Sequence, residues 1–231
     1  MSQENPVTHL PFDAIIFDHD GTLVDTEQAD LEACRLIYQE HGLDFSVDYW
    51  ARNIVGYMGG YDLVLDDLTR HNGYGPTREA MWTRFKELWA MTSENVQLMP
   101  GVTALLAQLH AAGYPLAVAT ASDRAWVQRW FTRFELWPYF QAIATGDDVV
   151  HNKPAPDVYL FAAAQLGVEP ERCLVFEDSV PGLTAAKAAG MTVVAVPTHH
   201  TQNLDYSLAD AIVANLEAVT VEWIAAFKVQ R

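Results

Sequence analysis

Two patterns alternate along this chain: short apolar runs that stop at polar or glycine-containing turns, and longer stretches with apolar residues at helical spacing. The run Ala14-Ile15-Ile16-Phe17 carries β-branched residues, stops at Asp18 and is followed by Gly21. It predicts a buried strand over 14–17 that ends in a tight polar turn. The pattern is then helical to about residue 95. One helix is predicted over 28–41, with Leu31, Cys34, Ile37 and Tyr38 at helical spacing, Asp25-Thr26-Glu27 capping its start and His41-Gly42 ending it. Leu63, Leu65 and Leu68 are assigned to a second helix and Met81, Phe85 and Leu88 to a third, in a stretch that also holds Trp50, Trp82 and Trp89. No strand is expected there.

From residue 97 strands and helices alternate. Helices are predicted over 102–112, 125–134, 156–166, 182–189 and 217–227, and strands over 116–119, 142–145, 173–176, 193–196 and 211–213. Strands alternating with helices imply parallel βαβ units. The expected fold is therefore α/β, a doubly wound parallel sheet interrupted after its first strand by a helical insertion. The core is assigned to residues 1–24 and 97–231 and the insertion to residues 25–96. Residues 1–11 read as a loose tail.

Composition narrows the function. The chain has 231 residues, half of them hydrophobic, enough to bury a sizeable core. No 18-residue apolar run is present, so no transmembrane helix is expected. The start, MSQENPVTHLP, lacks the basic and apolar regions of a signal peptide. Cys34 and Cys173 lie inside hydrophobic patterns and read as buried small residues, and the chain as cytoplasmic. A net charge of −16 argues against nucleic acid and anionic membranes. An anionic substrate then needs local positive charge, from a metal and a few placed Lys or Arg.

Doubly wound sheets bind ligands at the carboxyl ends of their strands, and four predicted strand ends carry polar groups. Asp18 and Asp20 occupy alternate positions and so point the same way. Two close carboxylates repel unless a cation sits between them, and Mg²⁺ suits them because it takes oxygen ligands. Gly21 lets the backbone turn tightly. A calcium EF-hand fails, because a loop starting at Asp18 puts Leu23 at the glycine position and Ala29 at the glutamate position. His19 faces the opposite way and reads as structural. The second strand end, Thr120-Ala121-Ser122, offers hydroxyl and backbone N–H groups to phosphate oxygens; the competing reading is that Ser122-Asp123 caps the next helix. At the third, Pro154 and Pro156 stiffen a turn that aims Lys153, while Asp157 caps the following helix or braces the turn. At the fourth, Glu177 and Asp178 follow a buried strand, which is costly without a cation.

In this order the four stretches resemble the motifs of the haloacid dehalogenase-like superfamily, in its phosphatase and β-phosphoglucomutase-like branch: D-x-D-G-T at 18–22, an apolar strand ending in Thr or Ser at Thr120, K-P-x-P-D at 153–157, and adjacent acids at Glu177-Asp178. The resemblance implies that Asp18 is the nucleophile and Asp20 the general acid/base. It also implies that Thr120, the Ala121 amide and Ser122 bind phosphate, and that Lys153 balances charge. Mg²⁺ would be held by Asp18, the Asp20 backbone carbonyl and Asp178, with Glu177 acting through a metal-bound water. Residues 25–96 would form a helical cap domain that closes over the site and reads the leaving group. In that cap Gly56 and Tyr57 are expected at the substrate, within a flexible stretch that also holds Gly59 and Gly60, with Arg52 and Met58 as further candidates. Trp82 and Trp89 are expected to pack the cap helices.

The expected function is a Mg²⁺-dependent phosphatase acting on a small phosphorylated metabolite, a sugar phosphate, through an aspartyl phosphate. The alternative is a β-phosphoglucomutase-like mutase. Mutases of this family carry an Arg and a first-helix His where this chain has Gly59 and Asp30, which favours hydrolysis. A phospho-ligand binder without catalysis is the third reading; the intact Asp18, Asp20, Lys153 and Asp178 speak against it. Neither a Gly-rich P-loop nor G-x-G-x-x-G is present. A monomer is expected, with a dimer as the alternative. His199-His200 reads as a surface loop, since adjacent side chains face apart.

Overall fold

The computed structural model describes residues 11–57, 59–72 and 75–228. Most of the expected N-terminal tail, and Met58, lie outside the described residues.

Six strands form one parallel sheet: β1 (Ala14–Phe17), β2 (Leu116–Ala119), β3 (Ala142–Ala144), β4 (Cys173–Glu177), β5 (Thr192–Ala195) and β6 (Ala211–Ile212). Their spatial order is β3-β2-β1-β4-β5-β6. The chain winds outward from β1 through β2 to β3, then returns to the other side of β1 at β4. A crevice opens at the carboxyl ends of strands where the winding reverses, here between β1 and β4.

Side-chain alternation gives the sheet two apolar faces. Ile15, Phe17, Leu116, Val118, Leu174 and Phe176 face α5 (Val102–Ala111) and α6 (Arg124–Arg133). Ala14, Ile16, Ala117, Ala119, Cys173 and Val175 face α7 (Asp157–Leu166) and α8 (Val180–Ala188). The second face is rich in alanine, which lets α7 and α8 approach closely and bring the turns before them to the strand ends.

Between β1 and β2 lie four helices: α1 (Glu27–Glu40), α2 (Val47–Asn53), α3 (Gly60–Asn72) and α4 (Arg78–Thr92). Helix α1 packs on α4, with Leu31, Cys34 and Ile37 buried on one and Met81, Phe85 and Leu88 on the other. The Tyr38 hydroxyl donates to Asp67 at 2.7 Å and ties α1 to α3. The buried stripe of α3 is Val64, Leu65 and Leu68; Leu63 is 41% exposed. Residues two apart on a helix sit nearly opposite each other, so Leu63 and Leu65 cannot share a face.

Most boundaries fall within a residue of expectation, and the differences at β5, α8 and the closing helix have visible causes. Strand β5 starts at Thr192, which pairs with Leu174, and ends before Val196. Helix α8 starts two residues early because the Ser179 hydroxyl accepts the Gly182 amide at 3.1 Å and caps it. The closing helix shrinks to α9 (Val221–Ala225): Asn215 opens a separate turn over Leu216–Ala218, and Thr220 then caps α9. Asp157 does not cap α7; it is the first helical residue, 3.6 Å from His151.

Candidate active site

Strand parity decides which acids meet. Phe17 and Phe176 are in register and stack at 5.2 Å, and the Asp18 amide donates to the Phe176 carbonyl at 3.0 Å. The next residue on each strand turns to the α7 side, so Asp18 and Glu177 stand together, whereas Asp178 turns the other way. Lys153 enters between the first two from the turn before α7. Its ammonium lies 2.5 Å from Asp18 Oδ1 and 2.8 Å from Glu177 Oε1, and all three side chains are buried. Glu177 also accepts from the Tyr159 hydroxyl (3.0 Å), the Ser179 amide (2.7 Å) and the Ser179 hydroxyl (2.9 Å). Gly182 of α8 lies against that carboxylate: a Cβ there would fall 1.5 Å from Glu177 Oε1.

One cation between two buried carboxylates leaves the pocket short of positive charge. Burial pushes Asp18 up to about 7, against the pull of Lys153 and helped by Glu177 and Asp20. Burial would lower the Lys153 ammonium, but Asp18 and Glu177 outweigh it and hold the charge.

On the other side, Asp178 Oδ1 accepts from the Thr22 hydroxyl at 3.2 Å. Asp178 Oδ2 presses on the turn at Gly21 (φ 73°), where a Cβ would fall 2.2 Å from it. Asp178 Oδ2 and Glu27 Oε1 are buried and take no hydrogen bond from an N–H or hydroxyl group among the described residues; the two carboxyl groups instead lie within hydrogen-bond reach of each other. Burial, followed by the charges of Glu27 and Glu177, raises the Asp178 pKa well above the usual carboxylate range. Burial likewise pushes Glu27 up to about 7, while the Thr198 hydroxyl donates to it. Sequence reading placed Glu27 only in the cap of α1. Its signal is an acid five residues beyond the first motif, at the start of a helix whose first turn faces the strand ends.

Asp18, Glu177 and Asp178 each offer an oxygen, and these atoms lie within 4.8 Å of one another. An all-oxygen donor set of buried carboxylates fits a hard divalent cation such as Mg²⁺.

Asp20 belongs to a different set of contacts. Its Oδ1 accepts from the Thr26 hydroxyl (2.8 Å) and the Trp126 indole N–H (2.7 Å), its Oδ2 from the Ser122 hydroxyl (2.6 Å). Buried His19 places Nδ1 3.1 Å from Oδ1. Burial would raise this carboxyl, but His19, Ser122 and Trp126 outweigh it and hold the pKa below the ordinary range. His19, expected to face away, is thus a neighbour of Asp20. Trp126 sits in no motif, and only the packing of α6 on the strand ends reveals it.

The other expected residues divide. Thr120 is buried and its hydroxyl accepts the Ser122 amide at 3.0 Å. The Ala121 carbonyl accepts from the Asn152 side chain at 3.2 Å, which ties this turn to that of Lys153. Asp123, not Ser122, caps α6 by accepting the Trp126 amide at 2.7 Å. Gly56 (φ 75°) packs on the turn after β4, where a Cβ would fall 2.5 Å from Ser179 Oγ. Tyr57 is 40% exposed, and Arg52 pairs at the surface with Asp48 at 2.9 Å. Trp82 stacks on Phe85 within the four helices. Trp89 is buried among the same helices, its indole N–H donating to Asp30, which also accepts from the Tyr61 hydroxyl at 2.5 Å, and its ring also reaches across to Trp126, centroids 4.0 Å apart. His200 contacts Gln28 at 3.0 Å, and neither His199 nor His200 joins the acid cluster. No helix among the described residues is long and apolar enough to cross a membrane.

A family model described as haloacid dehalogenase-like hydrolase matches residues 15–196. The chain is 38% identical over 226 residues to Protein CbbY of Rhodobacter capsulatus, covering 91% of this chain and 96% of that one. It is 33% identical over 212 residues to hexitol phosphatase B of Escherichia coli, covering 90% and 95%. Among solved structures, a variant of CbbY from Rhodobacter sphaeroides in complex with xylulose-(1,5)bisphosphate matches with a TM-score of 0.74 at 28% identity, over 92% of this chain and 99% of that one. With its strand order, its four polar strand ends and these relatives, the chain belongs to the haloacid dehalogenase-like hydrolases, in their phosphatase and phosphoglucomutase-like branch.

Proposed function

We propose that this protein is a Mg²⁺-dependent phosphatase that hydrolyses a small phosphorylated metabolite, a sugar phosphate, through an aspartyl phosphate on Asp18. The observation that carries this reading is the buried Asp18–Lys153–Glu177 ion triad at the sheet's switch point, with Asp20 beside it. The hexitol phosphatase relative supports a polyol or sugar leaving group.

Phosphoryl transfer is chiefly positioning and charge stabilisation. An Asp18 oxygen attacks phosphorus, the bond from phosphorus to the ester oxygen breaks, and Asp20 gives that oxygen a proton. Asp20 then takes a proton from water, which attacks the phosphorus of the aspartyl phosphate and returns Asp18 with inorganic phosphate. Lys153, braced by Glu177, stays charged beside the transferring group. Thr120, the Ala121 amide and Ser122 receive its oxygens. Asp18, Asp178 and the Asp20 carbonyl would hold Mg²⁺, which would neutralise phosphate charge and let two anions approach. The donors around Asp20 favour its ionised form, the form the water step needs. The acid form requires release from at least one of them, and an arriving phosphate dianion raises the Asp20 pKa in the required direction. Residues 25–96 would act as the cap that excludes water, with Gly56 at the cap's contact with Ser179.

The test is phosphate release from p-nitrophenyl phosphate, hexose and pentose phosphates, and phosphoglycolate, with Mg²⁺, with EDTA, and with Asp18→Asn. Mg²⁺-dependent release that the variant lacks is the expected result. Turnover retained by Asp18→Asn overturns the mechanism. Interconversion of glucose 1- and 6-phosphate without release makes the protein a mutase.

A further inference from the structure

Asp30 stands one turn after Glu27 on α1. Residues three apart share a helix face, so the face that meets Asp178 through Glu27 carries Asp30 outward beside Asp20. The charges of Asp20 and Glu27 both reach it. Its neighbours Ala29 and Leu31 are buried, whereas Asp30 is partly exposed. Its donors, the Tyr61 hydroxyl and the Trp89 indole, are both neutral, and among the described residues no Lys or Arg pairs with it. The Arg129 guanidinium lies 5.1 Å from the Trp89 ring but donates to Ser93 at 3.2 Å. Each Asp30 oxygen holds one donor, and a carboxylate accepts about four, so capacity remains for hydroxyls of a ligand.

We propose that Asp30 is the specificity-determining residue of this site, accepting hydroxyls of an uncharged polyol or sugar leaving group and repelling a leaving group that carries a second phosphate or a carboxylate. The inference rests on the phosphatase reading. A second anion brought against an acid with no counter-ion meets like-charge repulsion without relief, so sugar and polyol monophosphates are the favoured class. Asp30 takes no part in the bond-making steps; it selects what Asp20 is asked to protonate.

Matched substrate pairs test this. We would measure kcat/KM by phosphate release for glycerol 3-phosphate against 3-phosphoglycerate, and for fructose 1-phosphate against fructose 1,6-bisphosphate. The proteins are the unaltered chain, Asp30→Asn and Tyr61→Phe, all with Mg²⁺ and at pH about 8 to 9, above the raised Asp30 pKa, so that the carboxyl is ionised. The unaltered chain should favour the member of each pair that carries one anionic group, and Asp30→Asn should cut that preference about tenfold or more. Tyr61→Phe keeps the charge and should keep the preference. An unchanged ratio in Asp30→Asn overturns the proposal. So does a Tyr61→Phe variant that relaxes as far as Asp30→Asn, because the effect is then helix geometry and not charge. Release from p-nitrophenyl phosphate reports the phosphatase reading separately: its absence overturns that reading, whereas its presence with unchanged ratios overturns the role of Asp30 alone.

Discussion

Gly182→Ala sets two effects of opposite sign against each other. Gly182 is the third residue of α8, where alanine has the better helix propensity by about 1 kcal/mol. On local grounds the substitution stabilises. The structure places a Cβ there 1.5 Å from Glu177 Oε1 and 2.6 Å from Oε2. Real contacts are no closer than 3.0 Å, so the carboxylate must move by at least 1.5 Å. It is fully buried and holds four donors at 2.7–3.0 Å, among them the Lys153 ammonium. None of these bonds survives such a shift. Breaking one arm of a buried ion pair costs about 3–5 kcal/mol. Set against the helix gain, this leaves about 2–4 kcal/mol of destabilisation, or a Tm lower by roughly 5–15 °C in a chain of this size. Loss of the brace also lets the ammonium drift from Asp18, so phosphate release should fall at least tenfold. The measurement is a urea or thermal unfolding curve beside the p-nitrophenyl phosphate rate. A variant as stable as the unaltered chain, or more so, at full rate would refute the claim that Gly182 exists to seat Glu177.

Two further outcomes follow from Asp20 and Asp30. Trp126→Phe removes the indole donor from Asp20 while keeping an aromatic ring against Trp89, and kcat should fall about tenfold with little change in KM; an unaltered kcat rules out positioning by the indole. Burial, with the charge of Asp20, raises Asp30 to about 7 against the opposing Tyr61 bond. The native state therefore binds more protons than the unfolded chain between pH about 4 and about 7, and its stability falls as pH rises through that window. Urea midpoints at pH about 5 and about 8 should drop less in Asp30→Asn than in the unaltered chain. Equal drops would show that Asp30 titrates normally.

The fold class was legible because its signals are local. The runs at Ala14–Phe17, Leu116–Ala119 and Cys173–Glu177 each carry their own apolar pattern and their own polar stop. A strand that ends in Asp-x-Asp-Gly-Thr needs no distant residue to be recognised. The candidate residues Asp18, Asp20, Lys153, Glu177 and Asp178 sit beside such stops, and the sequence order already places them on strand ends. What the chain pattern could not supply is which of them touch. Register between β1 and β4 pairs Asp18 with Glu177 and turns Asp178 away, and that register is a long-range property of the assembled sheet. Glu27 and Trp126 were illegible as site residues for a related reason, and Asp30 was marked only as the place where related mutases carry a His. Each lies on a helix whose own pattern explains it as a cap or as amphipathic filling, and its chemistry appears only when the helix docks on the strand ends. Contacts between residues far apart in sequence depend on how two surfaces pack, and side-chain volume and charge on both surfaces enter that packing together. Local periodicity records only one surface at a time.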